Sequence, residues 1–237
     1  MATCACSAAA ETEQSAKLQV ALSPERLGAG TTISFAFQIE AAGVALPAAL
    51  TVLDVRLPPG MGIDTSGLAS CTAAALAHGP RGCPRDAEVG SGSVDVEVPL
   101  GEVTRPEIAA LTVFNGPREH GRATLVFYAA GRLPIATQLV FPAVIVPGAL
   151  GQEIEATIPL IPTLPNTPDA AIVSMASTLG TRQIAYYKTV DHRRVRFDPK
   201  GATLPARCPP GGFPFAAEFH FNDMSTAAAA TMVACPR

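Results

Sequence analysis

Four histidines, a few serines beside glycines and one polar aspartate loop are the residues of this chain that could do chemistry. The stretch "GIDTSGLAS" sets Asp64-Thr65-Ser66-Gly67 after a predicted strand. A loop that brings two carboxylates together needs glycine directly after Asp-Thr, so that the backbone can approach. Here Ser66 intervenes and the chain holds no second copy, so the expectation is a polar turn with Asp64 forming an Asx-turn. The stretch "GSGSVD" offers Ser91 and Ser93, but a nucleophile elbow needs G-x-S-x-G at a strand-to-helix turn. These serines lead straight into a strand, and their glycines mark a loop or bulge. His78, His120 and His192 fall in predicted loops, while His220 alternates with Phe219 and Phe221 and faces solvent. A histidine–acid hydrolytic site would have to be assembled by the fold from loop His and Asp residues, since no spacing demands it.

A different chemistry is offered by "YYKTVDHRRVRF". Arg193, Arg194 and Arg196 stand near Tyr186 and Tyr187, a pattern that suits either a solvated hairpin face or contact with an anion or polysaccharide. These five residues are the candidate binding set. Trp is absent and aromatics make up 5% of the chain, which argues against a sugar-binding aromatic platform.

Six cysteines allow fifteen connectivities. Cys71 and Cys83 bracket a short stretch, as do Cys208 and Cys235 near the C-terminus. None of these four has the C-x2-4-C spacing of zinc sites, so no metal is expected. Local disulfides, Cys71 with Cys83 and Cys208 with Cys235, are the expectation, and they imply an oxidising compartment. The N-terminal "CSAAA" before Glu11 looks like the end of a cleaved leader. Residues 1–16 are therefore read as a leader remnant or a disordered N-terminus, with Cys4 and Cys6 inside it.

The elements that must position all this are strands. "TTISFAFQIEA" sets Ile33, Phe35, Phe37 and Ile39 on one face, against Ser34, Ala36 and Gln38. "GSGSVDVEVPLG" points Val94, Val96 and Val98 inward and Asp95 and Glu97 outward. In "ALTVLDVR", Leu50, Val52 and Asp54 oppose Leu53 and Val55. About a dozen such strands, cut by 22 prolines and 20 glycines, predict an all-β antiparallel sandwich of immunoglobulin-like or jelly-roll-like kind over residues 17–237. A boundary within it, if there is one, falls near 161–169. One short helix is expected in the Cys71–Cys83 loop, near Thr72–His78. The last hairpin presents Phe213, Phe215, Phe219 and Phe221 to the core, with Met232 filling gaps beside them.

With 48% hydrophobic and 16% charged residues the chain is poor in charge, and its net charge of -3 argues against nucleic acid. The most apolar run, "LPIATQLVFPAVIVPGAL", is broken by three prolines and carries Gln138, so it reads as strands and turns rather than as a membrane span.

The segments "VRLPPGMGIDTSGLASCT", "GCPRDAEVGSG" and "LPARCPPGGFPFAAEFHF…ACP" resemble secreted, uncharacterised, disulfide-containing β-proteins of high-GC actinobacteria. The resemblance covers most of the chain after about residue 17. It implies export and β-structure, and no activity or cofactor. The function expected is thus a secreted or envelope-associated, non-catalytic β-sandwich that binds an extracellular ligand or has a structural role. The alternatives are an extracellular hydrolase and a carrier of an apolar ligand, the latter suggested by "ATQLVFPAVIVPGALGQEIEATIPLIPTLP". An enclosed apolar cavity discriminates for the carrier.

Overall fold

The structure, a computed structural model, describes residues 13–43, 46–149, 151–181 and 184–236. Cys4, Cys6 and residues 1–12 of the leader-like segment lie outside the described residues. Strands β1 (Gln14–Ser23), β2 (Gly30–Ala41), β3 (Leu50–Arg56), β4 (Gly62–Asp64) and β5 (Glu88–Leu100) come first. Then follow β6 (Val103–Asn115), β7 (Thr124–Ala130), β8 (Gln138–Pro147), β9 (Gln152–Thr157) and β10 (Ala171–Leu179). The last are β11 (Tyr186–Val190), β12 (Arg193–Phe197), β13 (Gly201–Thr203), β14 (Phe213–Phe221) and β15 (Thr226–Val233).

Thirteen strands form one antiparallel sheet, and β11 and β12 form a separate hairpin. The middle of the large sheet is an uninterrupted meander from β5 to β9. On one flank β3 carries the β14–β15 hairpin, and on the other β10 carries β2 and β1. The flanks then meet. β1 lies alongside β15, and Gln14 Nε2 donates to Ser225 Oγ at 2.6 Å. The sheet is therefore folded over on itself, an all-β sandwich whose layers are continuous. Phe37 of β2 packs edge-on against Phe219 of β14 with ring centroids 5.1 Å apart. One hydrophobic core runs from Leu18 to Ala227 through both layers, and the segment at 161–169 packs on it through Ile161.

The predicted alternation is realised in β2, β5 and β14. Ile33, Phe37 and Ile39 are buried, Val94, Val96 and Val98 are buried, and Phe213, Phe215, Phe219 and Phe221 are 0–4% exposed. Three local expectations are corrected. In β3 the register with β14 shifts between His220 and Phe221, so Leu50 turns inward with Leu53 and Val55 instead of opposing them. Met232 is 54% exposed, because β15 points Ala227, Ala229, Thr231 and Val233 inward. The helix of the Cys71–Cys83 loop is a 3-10 turn, Ala75–His78, followed by two more at Pro80–Gly82 and Arg85–Ala87. Thr72 Oγ1 accepts from the Ala75 amide at 3.2 Å, but the prolines that follow leave no room for a second α-turn. Strand β1 begins at Gln14, inside the segment read from sequence as a leader or disordered.

Both local disulfides are present. Cys71 and Cys83 have Cα atoms 5.4 Å apart, and Cys208 and Cys235 6.1 Å. Cys71 is buried with Leu76, Phe114, Val126 and Tyr128 in a satellite core on the outer side of β6 and β7. Asn115 ties the same loop down, donating from Nδ2 to the Ala69 carbonyl and accepting from the Cys71 amide. The cysteine loop thus covers apolar side chains that would otherwise face water.

Candidate functional site: an interior cavity with one carboxylate

Inward-facing residues from nine strands leave a cavity of about 120 Å³ between the layers. Its walls are aliphatic and aromatic. Val94, Val96 and Val98 of β5 face Leu139 and Phe141 of β8, with Phe35 and Phe37 of β2 completing one side. Phe127 and Phe141 stack with centroids 5.1 Å apart and planes at 4°. The space itself is left by small side chains. Ala109 of β6, Ala129 of β7 and Ala156 of β9 occupy positions where strand neighbours of the same face carry Leu, Val or Ile. One end is finished by the crossover at 158–170, which contributes Ile158, Ile161, Thr163 and Ala170. Four strands separate β9 from β10 in the sheet, so this proline-rich link must cross the fold, and it does so over the cavity as a packed loop.

One ionisable side chain lines this cavity. Strand β6 turns Glu107, Ala109, Leu111 and Val113 inward, and Glu107 is only 7% exposed. It stands opposite Val96, at the end of the cavity where β7 turns into β8. The backbone amides of Arg132 and Leu133 in that turn face the carboxylate. Gly131 leaves room for it, since a Cβ there would fall 2.0 Å from Glu107 Oε1. Oε1 is buried without a hydrogen-bond partner. Burial raises the pKa of Glu107, and the two amides oppose that in part. A glutamate in such a place is normally paired. Among the described residues two other buried side-chain atoms lack partners, Gln14 Oε1 and Thr32 Oγ1, and neither lines the cavity.

The residues singled out from sequence fall elsewhere. Tyr186 is 1% exposed, and its hydroxyl donates to the Glu88 carbonyl at 2.7 Å. Burial pushes its pKa up. Its ring anchors the β11–β12 hairpin to the main sheet and is turned away from solvent. Tyr187 is half exposed with the Arg194 guanidinium 4.1 Å above its ring, and Arg193 and Arg196 are exposed on the same hairpin. The cysteines are structural, as described above.

Nor does the fold bring the histidines into a nucleophilic site. His120 and His192 adopt positive φ in tight turns, and His78 ends a 3-10 turn. His220 lies on the outer face of β14, with Nε2 3.6 Å from both Asp54 Oδ2 and Glu218 Oε1. Arg56 completes this group through Glu218, at 2.9 Å, and Glu153. Burial raises the Asp54 pKa, and the neighbouring His220 opposes that in part. The group is an interlocked set of partly exposed ion pairs across three strands, in which each acid has a base. Asp64 accepts from the Ser66 amide at 3.0 Å, the Asx-turn expected, and Ser66's hydrogen bonds hold its carboxyl below the usual range. Gly90 and Gly92 let β5 approach β10, where a Cβ would meet the Thr178 or Ala176 carbonyl at 2.1 Å. Among the described residues, no three His, Cys, Asp or Glu side chains group closely enough to hold a metal ion, and no helix is long and apolar enough to cross a membrane.

A second depression of about 420 Å³ lies over small residues of β1, β2, β5 and β10, among them Gln19, Ser34, Ser91 and Thr178. It is larger but more open, with no charged side chain in its lining. The smaller interior cavity is the better candidate, because its walls are almost wholly apolar and include one charged side chain, Glu107.

Comparison with protein-family models, curated proteins and solved structures gives no match for the chain.

Proposed function

We propose that this protein is a non-catalytic binding protein that holds an apolar ligand inside its sandwich and works outside the cytoplasm. The observation that carries the reading is the cavity of about 120 Å³ walled by Val, Leu, Ile and Phe side chains from both layers. Protein cores are packed to the density of organic crystals, so a void of this size is not incidental filler. At about 24 cal/mol per Å³, an empty cavity of this volume forgoes roughly 3 kcal/mol of stability. A ligand that fills it recovers those contacts. An apolar cavity of comparable size, about 150 Å³, stays dry and takes up benzene, so the occupant is of that scale: a small ring, or the end of an acyl or prenyl chain. The two disulfides suit an oxidising compartment, which supports the extracytoplasmic setting.

The test is competition between small hydrocarbons and an environment-sensitive apolar fluorophore on the purified protein. Saturable fluorescence that benzene or a short alkane displaces is the expected result. Ala156→Leu, which adds a side chain where β9 lines the cavity, should remove the signal while the protein melts no lower than wild type. A fluorescence change that survives in Ala156→Leu would place the dye on the surface and remove the support for this reading.

A further inference from the structure

Glu107 points beyond a purely apolar occupant, and the inference rests on the reading just given. The carboxylate is more than nine-tenths buried, its Oε1 has no partner, and it lines a cavity whose other walls are almost wholly hydrocarbon. A core with no polar task would carry Val or Leu at this position of β6, as it does at Leu111 and Val113. Gly131 leaves room for the carboxylate, and the amides of Arg132 and Leu133 face it, so the group is held in place and is not a misplaced side chain. Two amides face the carboxylate and its Oε1 is buried without a partner, so the acceptor is oriented but incomplete.

From this geometry we infer that the ligand is an apolar molecule bearing one hydrogen-bond donor, a hydroxyl or amine, which meets the Glu107 carboxylate when the hydrocarbon part fills the cavity. Leaving a buried acceptor unmade costs the full desolvation of that group, whereas a hydrogen bond to a charged acceptor stabilises the complex. A donor group entering an apolar cavity without a partner is penalised in the same way. A site built to hydrogen-bond a hydroxyl or amine therefore rejects an analogue that lacks it. Hydrocarbon shape would determine whether a molecule fits, and the donor would determine which of the fitting molecules is held.

Calorimetric titration of wild-type protein with benzene, phenol and anisole tests this directly. Phenol has the donor, anisole has a similar oxygen without it, and benzene has neither. Phenol is expected to bind at least about tenfold tighter than either of the others, the effect of one hydrogen bond to a charged acceptor. In Glu107→Leu the advantage of phenol should vanish while benzene still binds. Glu107→Gln, which keeps the size and an acceptor oxygen, should retain part of it. Equal binding of the three probes by wild-type protein, or a phenol advantage that persists in Glu107→Leu, would overturn the inference and leave the apolar-ligand reading standing. If none of the three binds, the reading itself fails and the inference with it.

Discussion

At the scale of single residues, the ion pairs around Arg56 differ from the buried carboxylate of Glu107, whose Oε1 has no partner. His220, Asp54, Glu218 and Arg56 share their charges on the wet face of the sheet, where pairs of this exposure contribute little to stability. Glu107 is ionised only at a cost, because burial raises its pKa above that of the unfolded chain. The sign follows from linkage: the folded state holds its proton to higher pH than the unfolded state, so stability is greatest below the ordinary glutamate pKa. It falls as pH rises from there through the raised value. Glu107→Gln removes this dependence and leaves an acceptor for the amides of Arg132 and Leu133. The variant should melt above wild type at pH 7–8 by about 1 kcal/mol or more, roughly 2–4 °C, with the difference shrinking toward pH 4. Calorimetric melting of both proteins across that range is the check, and a difference that grows toward acid pH would show that the carboxylate is stabilised in the fold. Little of this was legible in the sequence. "EIAALTVFNG" announces a strand, and parity with Leu111 and Val113 does put Glu107 inside. A glutamate at the start of a strand, however, looks like an ordinary exposed end until the turn at 131–137 is seen folded over it. Tyr186 shows the reverse: its arginine-rich neighbourhood suggests a surface, yet the ring is swallowed by the main sheet through a contact with Glu88, 98 positions away.

At the scale of elements, period-two alternation carried most of the information. Strands β2, β5 and β14 bury the faces that their sequences mark, and the four phenylalanines of β14 close the core as their spacing requires. Alternation fails where the backbone adds a residue. The bulge between β3 and β14 turns Leu50 inward, and no local pattern announces it because it depends on the partner strand. The two disulfides then secure the loop over the satellite core and the terminal β14–β15 hairpin. Cys208–Cys235 clips the approach to β14 to the end of β15, at the seam where the sheet meets β1. In the chain-entropy account that loop is worth about 3.5 kcal/mol, and the Cys71–Cys83 loop about 3. Replacing Cys208 and Cys235 together by serine should lower stability by roughly that amount in denaturant titration, with fraying confined to β15 and β1 by amide exchange. Loss of protection in the meander β5–β9 instead would mean that the seam supports the whole sandwich.

At the scale of the whole molecule, folding one sheet over itself leaves an apolar space between the layers. The apolar run from Ala136 to Pro165 hinted at it, since Leu139, Phe141, Ile154, Ala156, Ile158 and Ile161 all line that space. The cavity itself could not be read from a sequence, because it depends on Ala109, Ala129 and Ala156 meeting across strands distant in the chain. Its volume depends on packing, and packing is a property of the closed sandwich alone. The proposals of an extracytoplasmic setting and of a donor-bearing ligand rest on different observations, the disulfides and Glu107, and each stands or falls separately. The space is the shared premise. Xenon is a probe of it that asks nothing of hydrogen bonding or charge, since apolar cavities of this size take up the gas and polar ones hold water. Diffraction from crystals of the wild-type protein held under xenon should show an ordered xenon atom among Val96, Ala129, Phe141 and Ala156. Density there that refines as hydrogen-bonded water, or side chains that close the space and leave no xenon site, would contradict the account.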